Sequence, residues 1–191
     1  MMNIKIFSNQ YNKYINECRL YVPKHFFNGN EGCFGYCPCD VQVFEKVLGD
    51  MIQNGKQGFE FLEIGCGIPL FSLCIGKAFE NIQITGIEYN KKICDYVNST
   101  ALSDNIEIIY KDANKYKEYD KYDFMFMPQP LQDTLKMHNL LLYILKNMKQ
   151  GAILYICTTN LYKVKDFKKE IEAFADIKRM DSDYVYKLVK I

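Results

Sequence analysis

From residue 40 onward the apolar positions switch between two periods. Phe44, Val47, Leu48, Met51 and Ile52 recur three and four apart, which predicts a helix with Asp40 as its N-cap and Gly55 and Gly58 at its end. The apolar run FEFLEI (59–64) then predicts a short strand. A helix over Pro69 to Phe79 follows, then the strand NIQITGIE (81–88) and a helix through Ile93, Val97 and Ala101. The strands IEIIY (106–110) and YDFMFM (122–127) come next, separated by a polar loop. A long helix is expected to carry Leu131, Leu135, Leu141, Leu142, Leu145 and Met148 on one side, stopping at Gly151 before the strand AILYIC (152–157). After a helix on Val164, Phe167, Ile171 and Phe174, the strands IKRM and YVYKLVKI are separated only by Asp181, Ser182 and Asp183.

Short apolar strands with a helix between them fit a parallel sheet covered on both faces, because each parallel neighbour needs a crossover. The fold class is therefore α/β. The three-residue link near the end allows only a hairpin, so the last strand must run antiparallel.

A chain of 191 residues, 49% hydrophobic, can bury one substantial core and is short for two. With 24 basic and 23 acidic residues it has no global field to draw it onto nucleic acid or an anionic membrane. A local basic patch stays open. No run approaches the roughly 18 apolar residues of a bilayer span, and the N-terminus lacks the charged and apolar parts of an export signal, so a soluble, cytoplasmic protein is expected. Of the eight cysteines, Cys18, Cys66, Cys74, Cys94 and Cys157 lie in apolar segments and read as reduced core residues. The cluster Cys33, Cys37 and Cys39, with His25 upstream, lacks the two-knuckle spacing of a structural zinc site, so no metal is expected.

The turn after the first strand, FLEIGCGIPLFSL (61–73), carries the chemistry. Read as the dinucleotide pattern G-x-G-x-x-G, it supplies Gly65 and Gly67 but places Leu70 where the third glycine belongs. Pro69 removes an N–H that a phosphate would use, while suiting a first helical turn. Glu63, two residues before the glycines, would repel a pyrophosphate and attract an ammonium group. These features argue against NAD or FAD.

The E-I-G-C-G stretch, with Glu88 closing the second strand and Asp112 following the third, resembles the class I S-adenosylmethionine-dependent methyltransferases. The resemblance spans Phe59 to about Asn160 and implies a Rossmann-like, seven-stranded, mostly parallel sheet with an antiparallel last strand and helices on both faces. It implies S-adenosyl-L-methionine as cofactor. By that resemblance Glu63, Gly65 and Gly67 surround the methionine part, Glu88 holds the ribose hydroxyls and Asp112 with Ala113 contacts the adenine amino group, with Cys66, Tyr89 and Met127 as further cofactor-binding candidates. Residues 40–191 would form the cofactor-binding domain, and residues 1–39 a cover on the acceptor side.

Methyl transfer needs an acceptor placed in line with the sulfonium methyl, and positioning alone contributes about 7 to 11 kcal/mol, so no enzyme nucleophile is required. The candidate acceptor-side residues are Gln129, in the loop MPQPL (127–131), and Tyr36, in FGYCPCDVQVFEKVL (34–48). An ordinary rigid turn and a packing role are the plainer readings of those two stretches. The acceptor itself is unidentified: the most basic segment, LYKVKDFKKE (161–170), is offset by nearby acids, so a small molecule or protein is preferred and nucleic acid is not excluded. Two alternatives use the same cofactor site, an aminopropyl or aminocarboxypropyl transferase and a catalytically silent binding module. Product analysis and turnover assays separate them.

Overall fold

In the structure, a computed structural model, residues 3–21, 39–54, 57–100, 103–158, 166–180 and 184–191 are described. Helices α1 (Ile4–Tyr21) and α2 (Val41–Gln53) precede strand β1 (Glu60–Ile64). The alternating part continues through α3 (Leu70–Ala78), β2 (Gln83–Glu88), α4 (Lys91–Asn98), β3 (Ile106–Tyr110), β4 (Phe124–Pro128), α5 (Thr134–Asn147) and β5 (Ile153–Cys157). It closes with α6 (Phe167–Glu172), β6 (Ala175–Arg179) and β7 (Val185–Lys190). The seven strands form one sheet in the order β3-β2-β1-β4-β5-β7-β6. The neighbours from β3 to β5 all pair in parallel, whereas β7 runs antiparallel to both β5 and β6.

Alternation along each strand divides the core into two layers, because successive side chains leave opposite faces. Phe61, Ile84, Phe124, Phe126 and Tyr155 face the layer under α1, α2 and α3, while Leu62, Ile64, Met125, Met127, Leu154 and Ile156 face α5. Helix α1 belongs to the first layer: Tyr11 stacks on Phe44 at 4.6 Å between ring centres and meets Phe71 edge-on. Helix α2 is tied down at its far end, where the Tyr155 hydroxyl and the Lys187 ammonium each donate to Asp50 Oδ2 at 2.7 Å.

Asp40 caps α2 as the sequence predicts, accepting from the Gln42 N–H at 2.7 Å. The helix ends on Asn54, and Gly55 lies outside the described residues. The predicted face of α5 needs correction. Leu131 precedes the helix and Leu135 is 60% exposed; Met137, Leu140, Leu141, Ile144 and Leu145 form the buried side. The Asp133 cap starts the helix at Thr134, and that register turns Leu135 outward.

Gly86 sits where β2 passes under the glycine turn. A Cβ there would stand 2.5 Å from Ile108 Cδ1 and 2.8 Å from Cys66 Sγ. Gly86→Ala should therefore destabilise by about 1 to 3 kcal/mol through overpacking, and Gly86→Val by more. Urea unfolding measures it, and an alanine variant as stable as the parent would show that Cys66 can move aside.

Candidate functional site

Strands β2 and β4 lie on opposite sides of β1, so the chain reverses its direction of travel across the sheet at β1. In an open α/β sheet the crevice at such a point, at the carboxyl ends of the strands, is where ligands bind. The turn after β1 fills that place. Gly65 and Gly67 have φ of 70° and 53°, the left-handed region that glycine enters at no steric cost. The Gly65 and Cys66 N–H groups both donate to the Ile87 carbonyl, at 2.8 and 3.1 Å, which pins the turn to the end of β2. A Cβ on Gly65 would stand 2.8 Å from Pro130 Cβ, so the loop after β4 packs directly onto the glycine turn.

Pro69 occupies the N-cap of α3 and supplies no side-chain acceptor. The missing cap comes from the preceding strand: Glu63 Oε2 accepts the Ser72 N–H at 3.1 Å and the Ser72 hydroxyl at 2.5 Å. A carboxylate at a helix N-terminus also meets the positive end of the helix dipole. Burial raises the Glu63 pKa to about 7 against the opposing effect of the Ser72 bonds, and the nearby Glu88 carboxylate raises it further. Leu70 is buried, so a side chain fills the space that a third glycine would leave.

Glu88 joins two loops. Its Oε2 accepts the Gly67 N–H at 3.0 Å and its Oε1 accepts the Asn90 N–H at 2.7 Å. Each oxygen keeps a further lone pair for a donor arriving from outside. Burial raises its pKa, partly offset by those backbone N–H groups. Beside it Tyr89 is 59% exposed, and its ring lies 6.4 Å from the half-exposed Tyr110 at the end of β3. Asp112 caps a single 3-10 turn, Ala113–Lys115, with Oδ1 accepting from the Asn114 N–H at 2.9 Å. The Ala113 carbonyl accepts the Tyr119 hydroxyl at 2.8 Å.

The three acids, both glycines, Tyr89 and Ala113 thus share one edge of the sheet. Cys66 and Met127 differ in what they can offer. Cys66 is buried against Gly86 and burial pushes its thiol pKa well up, while Met127 is fully buried in the layer under α5. Alternation along β4 and the tight packing at Gly86 point both side chains into the core, leaving their backbone at the crevice. Gln129 lies half-buried in the loop between β4 and α5. Tyr36, Cys33, Cys37 and His25 lie outside the described residues, and among the described residues no three His, Cys, Asp or Glu side chains are grouped to hold a metal ion. Sequence reasoning passed over Ser72, Asn90, Tyr110 and Pro130. A signal existed for Ser72, since a proline at the cap leaves a first-turn N–H to be satisfied elsewhere.

No protein-family model matches the chain. In sequence it is 28% identical over 169 residues to malonyl-[acyl-carrier protein] O-methyltransferase 2 of Ilyobacter polytropus, covering 86% of this chain and 61% of that protein. It is 23% identical over 104 residues to (S)-coclaurine N-methyltransferase of Papaver somniferum, covering 53% of this chain and 30% of that protein. The chain thus spans less than two thirds of the length of these relatives. Among solved structures it resembles a putative caffeoyl-CoA O-methyltransferase from Staphylococcus aureus, with a TM-score of 0.64 at 15% identity over 96% of this chain and 100% of that one. It also resembles magnesium protoporphyrin IX methyltransferase from Synechocystis PCC 6803 with bound SAH, with a TM-score of 0.63 at 12% identity over 97% and 100% of the two chains. The chain has the fold of the class I S-adenosylmethionine-dependent methyltransferases. Its sequence relatives are methyltransferases, as the resemblance in the glycine turn implied.

Proposed function

We propose that the chain is a methyltransferase that binds S-adenosyl-L-methionine across the carboxyl ends of β1 to β4. The observation that carries this reading is the Glu88 carboxylate, held by the N–H groups of Gly67 and Asn90 with lone pairs left over. Such a group fits a vicinal diol: two hydroxyls donate to two oxygens already aimed by the backbone. A pyrophosphate would meet Glu63 and Glu88 as repelling charges, which disfavours NAD. When bound, the cofactor supplies an electrophilic methyl on a sulfonium sulfur. The chain's own part is to hold and orient: Glu88 the ribose, Asp112 and Ala113 the adenine edge, Tyr89 its face, and the Gly65 to Gly67 backbone the amino-acid end. Gln129 and Tyr36 are the acceptor-side residues of this reading, and Glu63 supports the turn from beneath through its bonds to Ser72.

The acceptor in this reading is a small molecule or a protein, slightly preferred over RNA. Two relatives bear names that say they act on a malonyl-acyl-carrier protein and on coclaurine, and the near-neutral charge gives nucleic acid no special attraction. No helix among the described residues is long and apolar enough to cross a membrane. A cytoplasmic, reducing location is part of this reading and suits the buried thiols of Cys66, Cys74, Cys94 and Cys157. Residues 40–191 form the cofactor-binding domain in this reading, with residues 1–39 covering the acceptor side.

S-adenosylhomocysteine, at 100 times its dissociation constant, should stabilise the protein by about 2.7 kcal/mol, and NAD should not. Thermal melts with each compound test this. A shift with NAD and none with S-adenosylhomocysteine would remove the reading.

A further inference from the structure

Between β3 and β4 the chain carries Tyr116, Tyr119 and Tyr122, all buried, with Tyr119 out of contact with solvent altogether. Tyr143 of α5 packs edge-on against Tyr119, ring centres 6.0 Å apart. Tyrosines this deep need partners for their hydroxyls. Those of Tyr116 and Tyr122 bond each other at 2.5 Å, and the Tyr143 hydroxyl donates to the Tyr116 carbonyl at 2.9 Å. The Tyr119 hydroxyl donates to the Ala113 carbonyl at 2.8 Å. A carbonyl can only accept, so the direction of that bond is settled. Burial, with Tyr143 and the Asp112 carboxylate adding to it, raises the Tyr119 pKa, so the hydroxyl keeps its hydrogen.

The Ala113 carbonyl and the Asn114 N–H are the two ends of one planar peptide. Tyr119 holds the first end, and at the other the Asn114 N–H donates to Asp112 Oδ1 at 2.9 Å. Two bonds thus run from a buried hydroxyl, through a rigid peptide, to a carboxylate at the crevice edge, each polarising the next. The Asn114 side-chain amide gives Oδ1 a second donor at 3.2 Å. Oδ2 has the Lys115 ammonium 3.9 Å away, and the Asp112 side chain is 28% exposed. Oδ1 is therefore committed to the turn, while the carboxylate can still receive a donor from the crevice.

We propose that Tyr119 is a positioning residue for Asp112: by gripping the Ala113–Asn114 peptide from the buried side it fixes how the carboxylate faces the crevice, and so the preference for a purine bearing an amino donor. The grip on Asp112 belongs to the free protein. The purine preference rests on the methyl-transfer reading, in which Asp112 meets the adenine amino group. Tyr143 supplies an internal comparison, since it makes the same kind of bond in the same cluster, to a carbonyl three residues further along. An anchor of the loop alone would weaken every ligand alike.

The probes are S-adenosylhomocysteine and the same compound with hydrogen in place of the purine amino group. The parent should prefer the first about tenfold, as one hydrogen bond to a carboxylate implies. In Tyr119→Phe, which keeps the ring and removes the hydroxyl, that preference should fall to about twofold, with S-adenosylhomocysteine carrying the loss. Tyr143→Phe should keep it at about tenfold. In labelled protein without ligand, Tyr119→Phe should shift the Asn114 amide resonance and speed its exchange with solvent, and Tyr143→Phe should leave both near the parent values. Equal binding of the two probes by the parent, a preference unchanged in Tyr119→Phe, an equal fall in both variants, or an Asn114 amide unmoved by Tyr119→Phe would overturn the proposal. A parent that binds S-adenosylhomocysteine without any Asn114 response to Tyr119→Phe loses the grip and keeps the cofactor. A parent that binds neither probe loses the cofactor reading and the purine preference with it, and the Asn114 amide then decides the grip on its own.

Discussion

Glu88→Ala should weaken S-adenosylhomocysteine binding by about a hundredfold or more, because in the proposed site two ribose hydroxyls lose their acceptor and each such loss amounts to about 1 to 3 kcal/mol. Binding suffers for a second reason as well. Glu88 is the group that joins the glycine turn to the start of α4, through Gly67 and Asn90. Without it those N–H groups turn to solvent and the turn loses its anchor, so stability should also fall, by roughly 1 to 2 kcal/mol. Glu88→Gln grades the two effects. Its amide oxygen can keep one backbone donor and accept one hydroxyl, while its NH₂ faces the other backbone N–H and cannot accept from the second hydroxyl. The glutamine variant should thus fall between parent and alanine in both stability and affinity, losing one hydroxyl acceptor where alanine loses two. Calorimetry and urea unfolding on both variants decide it, and normal affinity in a folded Glu88→Ala protein would remove Glu88 from the cofactor site.

The alternating core was legible because the period of the apolar residues is a direct consequence of backbone geometry. β3 coincides with IEIIY, and β1 and β5 fall within a residue of FEFLEI and AILYIC. The hairpin of β6 and β7 followed from a link too short for a crossover. What the sequence did not disclose was the place of β7, between β5 and β6, since that depends on which edge the hairpin docks against. The face of α5 was misjudged for a related reason. Leucine type alone marks Leu135 as core, whereas Met137 and Ile144 join Leu140, Leu141 and Leu145 on the buried side and Leu135 faces solvent. A helix so rich in apolar residues offers more than one plausible stripe, and only the Asp133 cap settles the register.

In the site, the acids were visible and their partners were not. Three carboxylates after three successive strands form a pattern in one dimension, whereas the bonds that aim them come from residues whose proximity only folding creates. The Glu63 to Ser72 contact crosses the glycine turn, and Pro130 reaches Gly65 from the loop after β4, 65 positions on. Tyr119 was unreadable for a further reason. A tyrosine in a polar loop has no sequence signature, and its meaning arises from the Ala113 carbonyl and, through the next peptide N–H, from Asp112.

Glu63 gives the second large effect, in how stability depends on pH. Its folded pKa of about 7 lies above the ordinary 4.5, because burial disfavours the charge and Glu88 adds to that, while the Ser72 bonds act against both. The native state therefore holds the proton more tightly than the unfolded chain. The stabilising contribution is fully present below about pH 4.5 and is lost as pH rises toward 7, with a total on the order of 3 kcal/mol. Carboxylates held by partners change stability in the opposite sense, so the parent's own profile mixes both. The difference between the parent and Glu63→Gln cancels them. The glutamine amide oxygen can still accept from the Ser72 N–H and hydroxyl, so α3 keeps its cap while the titration disappears. Urea unfolding should find Glu63→Gln gaining on the parent steadily between pH 4.5 and 7, and level beyond that. Glu63→Ala should be destabilised at every pH, by about 2 to 4 kcal/mol, since it leaves a cavity and two buried Ser72 donors without an acceptor. A difference between parent and Glu63→Gln that stays flat across this window would mean that Glu63 is ionised throughout, with the turn carrying a fixed negative charge.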